Sequence, residues 1–168
     1  MKLVLPSEKY YQSYLAYIQE LGDEERYPFT LDLPFKDCKE LLTRLDAFSL
    51  GKSLPEGSVA NTTLWLVEGD EITGITNVRH YLNARIEHCG GHIGLGIRPS
   101  FRGKGLGNTL MQLSIEYLLK LGVNPIHIHC YKDNTSSAKT ILNNGGLLAS
   151  EFADNQRVIQ RYLVTCKN

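Results

Sequence analysis

A glycine-rich turn with two basic side chains carries the clearest chemical signal in the sequence. It reads Arg102-Gly103-Lys104-Gly105-Leu106-Gly107. Glycine lacks a Cβ, so the backbone N–H groups of such a turn can come close to a ligand. The first N–H groups of a helix are unpaired and lie at its positive end. A turn of this composition in front of a helix therefore predicts a site for an anion, in particular a phosphate group.

The elements on either side of the turn are those that such a site requires. Apolar residues at 93, 95 and 97 alternate with His92, Gly94, Gly96 and Arg98, which predicts a strand with two different faces. Pro99 interrupts that strand. Apolar residues then recur at helical spacing from 106 to 121. The turn therefore joins the end of a strand to the start of a helix.

Two other phosphate-binding loops are excluded by single positions. A dinucleotide-binding G-x-G-x-x-G loop that began at Gly103 would need glycine at 108, where the chain has Asn108. A P-loop, G-x-x-x-x-G-K-[ST], would need glycine at 98 and serine or threonine after Lys104, but the chain has Arg98 and Gly105. Nucleotide binding of either kind is therefore disfavoured.

Composition limits the remaining classes of function. The chain has 168 residues, which predicts a single domain over 1–168, and 18 basic residues balance 18 acidic ones. Attraction to nucleic acid or to a membrane surface is therefore not indicated. The apolar run at 1–5 is too short for a signal peptide or a spanning helix. The four cysteines form no C-x-x-C pair, so we expect reduced thiols in a cytoplasmic protein.

The pattern over the whole chain predicts an α/β (α+β) fold in which helices flank a central, mixed and mostly antiparallel sheet. Gly69-Asp70 between two apolar runs indicates a hairpin. Residues 23–34, 51–61 and 83–90 are predicted as connections. The predicted order is β-α-α-β-β-β-α-β-α-β-β, with strands at 2–5, 62–67, 72–81, 92–98, 126–131, 147–152 and 157–165 and helices at 8–21, 35–50, 106–121 and 137–142.

This order and two motifs resemble the GNAT N-acetyltransferases, whose acetyl-CoA loop reads [QR]-x-x-G-x-[GA]. Arg102-x-x-Gly105-x-Gly107 matches it, and Asn134-Thr135-Ser136-Ser137 matches the family's later N-x-x-[AS] element. Short sequence motifs at residues 79–83, 90–94, 98–105 and 134–146 are similar to those of a bacterial branch of the family, the predicted acetyltransferases. The resemblance covers about residues 62–150 strongly and the N-terminal third by element order alone.

The resemblance implies where acetyl-CoA is held. Backbone N–H groups of the turn would bind the pyrophosphate, and the side chain of Arg102 would contact it. Lys104 would join them or stay a solvated charge near the 3′-phosphate, and both interpretations stay open. The residues that the resemblance assigns to the pyrophosphate are Arg102, Gly103, Lys104, Gly105, Gly107 and Asn108.

The resemblance also implies a path for the pantetheine arm of the donor. Relatives pair this arm, as if it were a strand, with the backbone of the motif strand, here near Ile97 and Arg98. N–H groups freed there would polarise the thioester carbonyl. Asn134 and Ser137 would contact the arm or cap the following helix, and the sequence is compatible with both roles.

The reaction needs a general base for the amine and a general acid for the CoA thiolate, and the sequence identifies neither clearly. Many relatives have a tyrosine seven positions after the asparagine as general acid, but this chain has Ile141 there. Tyr131 is a substitute, or it packs at a strand end. Residues 91–98 contain no glutamate to act as base, so the candidate catalytic residue is His92, beside the open Gly94. A structural histidine is the alternative.

The sequence gives the weakest indication for the site that binds the amine acceptor. Arg79 and His80 end the strand before the motif strand and are predicted to bind the acceptor, where an arginine suits a carboxylate. A structural ion pair of Arg79 is the alternative. His127 and His129 share a strand face, but no third ligand is spaced to complete a metal site, so no metal is predicted.

The sequence therefore predicts an acetyl-CoA-dependent N-acetyltransferase that acts on the amine of a small molecule, amino acid or peptide. The alternative is a non-catalytic acyl-CoA-binding sensor module, which the missing tyrosine and glutamate keep open. We expect no nucleic-acid or membrane partner. A homodimer is compatible with the sequence, which contains no argument for one.

Overall fold

A computed structural model describes residues 1–24, 33–154 and 157–165 of the chain. The predicted element order is confirmed, with one addition. The elements are β1 (Lys2–Val4), α1 (Tyr11–Leu21), α2 (Cys38–Ser49), β2 (Asn61–Glu68), β3 (Glu71–Arg79), α3 (Ala84–His88), β4 (Ile93–Ile97), α4 (Leu106–Lys120), β5 (Ile126–Tyr131), α5 (Thr135–Asn143), β6 (Leu147–Asp154) and β7 (Arg157–Val164). Most of the connection predicted at 23–34 lies outside the described residues.

The added element is α3, in the stretch 83–90 that the sequence pattern assigns to a connection. The side chain of Asn83 accepts a hydrogen bond from the N–H of Ile86 at 2.9 Å and so caps the helix. Ile86 itself is buried. A capping residue followed by one buried apolar side chain accompanies this helix of five residues.

The strands form two antiparallel sheets rather than one. The first has the order β1-β2-β3-β4, and the second has the order β5-β7-β6. They meet where β4 and β5 begin, through a bridge between Gly91 and Ile128. The predicted fold class with mostly antiparallel pairing is confirmed, and its strands divide between these two sheets.

Helices cover both faces of the first sheet, so β2 and β3 are buried on both sides. On one face α1 and α2 pack on Trp65 and Ile75, and Tyr14 stacks on Trp65 with 5.3 Å between ring centroids. On the other face α4 packs its apolar side on Val78 and Ile93. Burial of these side chains, each contributing about 1.5–3 kcal/mol, holds the strand–turn–helix unit against the sheet.

Candidate active site

A cleft of about 550 Å³ opens between β4 and β5. The two strands are joined at their beginnings, where the N–H of His92 donates to the carbonyl of His127 at 2.7 Å. Within the described residues no ladder of hydrogen bonds joins them further along. The cleft is lined by Ile93 to Ile97 of β4, Ile128 to Tyr131 of β5, the glycine turn and the first turn of α5. We call it the β4–β5 cleft.

The register of β4 decides which of its backbone groups face the cleft. The N–H of Arg79 donates to His92 at 2.8 Å, and the N–H of Arg98 donates to Thr73 at 3.0 Å. Bonding to β3 alternates between these ends, so the backbone groups of Leu95 and Ile97 point the other way, into the cleft. The N–H of Arg98 is thus bonded to β3 and its carbonyl accepts from the N–H of Phe101 at 2.8 Å, so neither group is open to the pantetheine arm as predicted. The prediction for Ile97 is compatible with this register.

The register of β5 gives the opposite wall. Lys132 donates its N–H to Val158 of β7 at 2.8 Å, and the pairing continues back to Ile126. The backbone groups of His129 and Tyr131 therefore point away from β7, toward β4. Two strand edges thus face each other across the cleft, and an extended chain of amides can pair with such edges.

The glycine turn closes one end of the cleft in a conformation that needs glycine. Gly103 and Gly105 both have φ of +77°, in the left-handed region that other residues rarely adopt. Gly105 directly precedes α4. At Gly107 φ is not positive, and an added Cβ would meet Thr140 at an ordinary 3.5 Å. Backbone strain therefore does not require glycine at 107, and we interpret this glycine as leaving room for a ligand.

Arg102 lies across the mouth of the cleft. Its Nη1 and Nη2 donate to the two carboxylate oxygens of Glu24 at 2.9 and 2.6 Å, and its Nε donates to the carbonyl of Ile97 at 3.0 Å. Arg102, the residue predicted to bind the pyrophosphate, is thus paired with Glu24, which the sequence did not identify as a site residue. Lys104 is exposed, with its Nζ 4.7 Å from the ring centroid of Phe101.

The start of α5 forms the opposite rim of the cleft. The side chain of Asn134 accepts from the N–H of Ser137 at 3.0 Å, so the capping role is present and both residues also line the cleft. Asn143 on the same helix donates to the side chain of Asn108 at 3.3 Å, which ties α5 to the first turn of α4.

Burial raises the pKa of the Cys130 thiol to about 11, although a hydrogen bond with Ser137 opposes the shift.

His92 has a structural role that contradicts its predicted role as base. It is 5% exposed, and its Nδ1 accepts from the N–H of His127 at 2.9 Å. Burial first, and then the neighbouring His127 and Arg79, lower its pKa to about 4. The imidazole is neutral near pH 7, and its one basic lone pair is already bonded. His129 behaves alike, because its Nδ1 accepts from the N–H of Gly90 at 2.9 Å.

The position of the family's usual general acid also faces away from the reaction. Ile141 is fully buried in the core, and a Cβ on Gly146 would lie only 2.4 Å from it. Thr140 is the residue of that helical turn that lines the cleft. Near β5 and α5, the described part of the cleft is lined by six residues with proton-bearing side chains: His129, Cys130, Tyr131, Ser136, Ser137 and Thr140.

Arg79 and His80 separate because successive residues of a strand point to opposite faces. The Nη1 of Arg79 donates to the carbonyl of Gly91 at 2.7 Å and so holds the start of β4. The Nε2 of His80 is hydrogen-bonded to Thr62 at 2.8 Å, and burial lowers the pKa of His80. Arg79 lines a second cavity, whereas His80 is not part of its lining.

This second cavity has a volume of about 450 Å³ and lies on the face of the first sheet that α1 and α2 cover. We call it the β2–β3 cavity. Its polar floor is a network in which the side-chain amide of Asn77 donates to Asn61 at 2.7 Å and to Thr63 at 3.0 Å. Asn77 pairs in the sheet with Gly94, which lines the cleft. The cavity and the cleft therefore have lining residues on neighbouring strands of the sheet.

Two kinds of feature are not found. Among residues 1–24, 33–154 and 157–165, no three His, Cys, Asp or Glu side chains come together as a metal ion would require. The described helices include none with the length and apolar character needed to cross a bilayer.

The cleft thus combines two opposed strand edges with a glycine turn at the start of a helix, features that suit an extended ligand with an anionic group. The model of the acetyltransferase (GNAT) family matches residues 16–142. A chimera of the Vibrio cholerae spermidine N-acetyltransferase with hSSAT has 16% identity and a TM-score of 0.66 over 98% of this chain and 96% of its own. For yncA from Salmonella typhimurium, solved with its cofactor acetyl-CoA, the values are 12%, 0.64, 98% and 92%.

A search of curated protein sequences finds no match. The family model covers well over half of the chain, however, and the structural neighbours have the same fold. The chain therefore belongs to the GNAT acetyltransferase family and is an acetyltransferase of that family.

Proposed function

We propose that this chain transfers the acetyl group of acetyl-CoA to the amine of a small molecule, amino acid or peptide. The observation that carries the proposal is that Asn77, which lines the β2–β3 cavity, pairs in the sheet with Gly94, which lines the β4–β5 cleft. A module that only binds acyl-CoA has no use for a second cavity at this point.

The cleft residues would hold the donor by backbone groups. The amides of Gly103, Lys104, Gly105 and Gly107 suit the pyrophosphate, since the start of α4 adds unpaired N–H groups. The edges at 95–97 and 129–131 suit the amides of the pantetheine arm. The donor thioester would then lie beside Gly94 and Gly96, which leave the sheet face open toward the acceptor.

The chemistry would be direct attack of a neutral amine on the thioester carbonyl. The C–N bond forms, the C–S bond breaks, and backbone N–H groups of β4 that face the cleft stabilise the charge on oxygen. Both amide hydrogens of Asn77 are engaged, which leaves its Oδ1 to accept a hydrogen bond from the amine. Because His92 cannot act as base, we assign to water the removal of the proton that the nitrogen loses after attack, and the CoA thiolate leaves and takes up a proton from water.

Two measurements test the proposal. Calorimetry should show that acetyl-CoA binds and that ATP and NAD bind far more weakly. Release of the CoA thiol should rise above background with at least one amine of a diverse panel, and Asn77→Leu should reduce the rise without loss of acetyl-CoA binding. Binding of acetyl-CoA with no response to any amine would support the sensor module instead.

A further inference from the structure

The β2–β3 cavity carries a charge that bears on the acceptor. Its described lining contains two arginines, Arg79 and Arg85, and one carboxylate, Glu56. The remaining polar lining is neutral and comes mainly from the network of Asn61, Thr63 and Asn77. A fully cationic acceptor such as a polyamine would meet like charges here, and like charges at close range repel.

Arg85 lies at the rim of this cavity, next to Gly57. It lies on α3, and its Nη1 approaches Gly57 so closely that an added Cβ there would be 2.7 Å away. The side-chain amide of Asn83 donates to the carbonyl of Gly57 at 3.1 Å, which ties the same loop to α3. Among the described residues no carboxylate forms an ion pair with Arg85. Its charge is available to a ligand.

The floor and the rim are spaced for a short ligand with two different ends. Asn77, the residue beside the cleft, lies two positions before Arg79 on the same face of β3. The Cα atoms of such residues are about 7 Å apart. Tyr14, Leu45 and Phe48 supply an apolar wall between the cleft side and the rim. A short ligand with its amine at Asn77 and its anionic group toward the arginine side chains would then place its apolar part against this wall.

We propose that the acceptor is a small amine that also carries a carboxylate, such as an apolar amino acid or a short peptide, with its carboxylate toward Arg85 and Arg79. This inference rests on the proposed N-acetyltransferase function. Arginine suits the role because its planar guanidinium can bind both carboxylate oxygens. The spermidine of the Vibrio cholerae neighbour is the opposite kind of acceptor.

The test compares leucine, leucinamide and spermidine as acceptors in thiol-release assays on the wild-type chain and on Arg85→Gln and Arg85→Lys. Arg85 is exposed on a short helix, so we expect the variants to fold, and thermal denaturation checks this. Arg85→Gln should raise the KM of leucine about 5-fold more than that of leucinamide, as for a partly exposed charge pair. Arg85→Lys should fall between. The ratio of the two effects cancels the intrinsic reactivity of each amine.

The outcomes separate this inference from the proposed function. Equal effects of Arg85→Gln on leucine and leucinamide, or spermidine as the preferred acceptor, would overturn the carboxylate acceptor while leaving the N-acetyltransferase in place. If no amine of any class raises thiol release although acetyl-CoA binds, the proposed function itself fails. Arg85→Glu adds a reversal, since it should weaken leucine further and improve spermidine.

Discussion

Replacing Glu24 by glutamine should tighten the binding of acetyl-CoA. In the structure Glu24 holds both Nη atoms of Arg102, at 2.9 and 2.6 Å, while the Nε of Arg102 occupies the carbonyl of Ile97. Both the guanidinium and that carbonyl are groups that the donor would use. An arriving pyrophosphate must therefore take Arg102 from Glu24 and also approach a carboxylate of like charge.

The size of the effect follows from the exposure of the pair. The side chains of Arg102 and Glu24 are 45% and 46% exposed, so solvent screens their attraction. Half-exposed pairs of this kind contribute about 0.2–1 kcal/mol. Release of Arg102 should then lower the Kd of acetyl-CoA about 1.4- to 5-fold. The gain should shrink at about 1 M salt, where the Debye length falls to roughly 3 Å.

Calorimetric titration with acetyl-CoA at low and high salt measures this change. Glu151→Gln is the matched control, because Glu151 also pairs with a cation, Lys132 at 2.9 Å, but does not line the cleft. It should leave the Kd unchanged. Weaker binding in Glu24→Gln would refute the reasoning, since it would mean that Glu24 orients Arg102 for the donor instead of competing for it.

Three further predictions follow from the geometry of single residues. Gly105→Ala should lower the free energy of unfolding by about 1–2 kcal/mol because Gly105 has a positive φ. Gly107→Ala should leave thermal stability unchanged and weaken acetyl-CoA binding. Equal melting temperatures for the two variants would contradict this difference. Urea unfolding should show that His92 and His129 each lower the free energy of unfolding by about 2 kcal/mol between pH 7 and 5, because their pKa values in the fold, about 4 and about 3, lie below the unfolded value of 6.5. The unfolded chain therefore takes up protons first as the pH falls. A profile that is flat over this range would contradict the buried neutral state of both residues, and His92→Gln should remove the contribution of His92. Ile141→Ala should cost about 2–5 kcal/mol as a large-to-small change in a closed core, with a cost below 1 kcal/mol arguing that the side chain is not packed.

The sequence was sufficient for what depends on neighbouring residues. The alternation over 92–98, the glycines before α4 and the periodicity of α4 are local, and the elements formed there as predicted. The helix α3 was missed although its capping Asn83 and buried Ile86 are also local, because five residues carry too little periodicity to stand out.

The details of the site depend on distant residues, which no spacing reveals. Glu24 and Arg102 are 78 positions apart in the chain. His92 was placed correctly on the face of Gly94, but its bond to the His127 amide, 35 positions later, decides that it is structural. The split between β4 and β5 is likewise set by pairing of β5 with β7, which a strand pattern alone does not specify.

The adjacency of Asn77 and Gly94 has a consequence for how this chain can diversify. Arg85, Asn61 and Thr63 line the β2–β3 cavity and not the β4–β5 cleft, whereas Gly103, Gly105 and Asn134 line the cleft and not the cavity. Substitutions in separate groups without shared partners combine nearly additively. If the proposed roles hold, acceptor preference can change through substitutions on β2 and α3 while the donor is bound as before. Asn77 and Gly94 are the exception, because they pair in the sheet and line one pocket each, so their replacements are expected to be coupled.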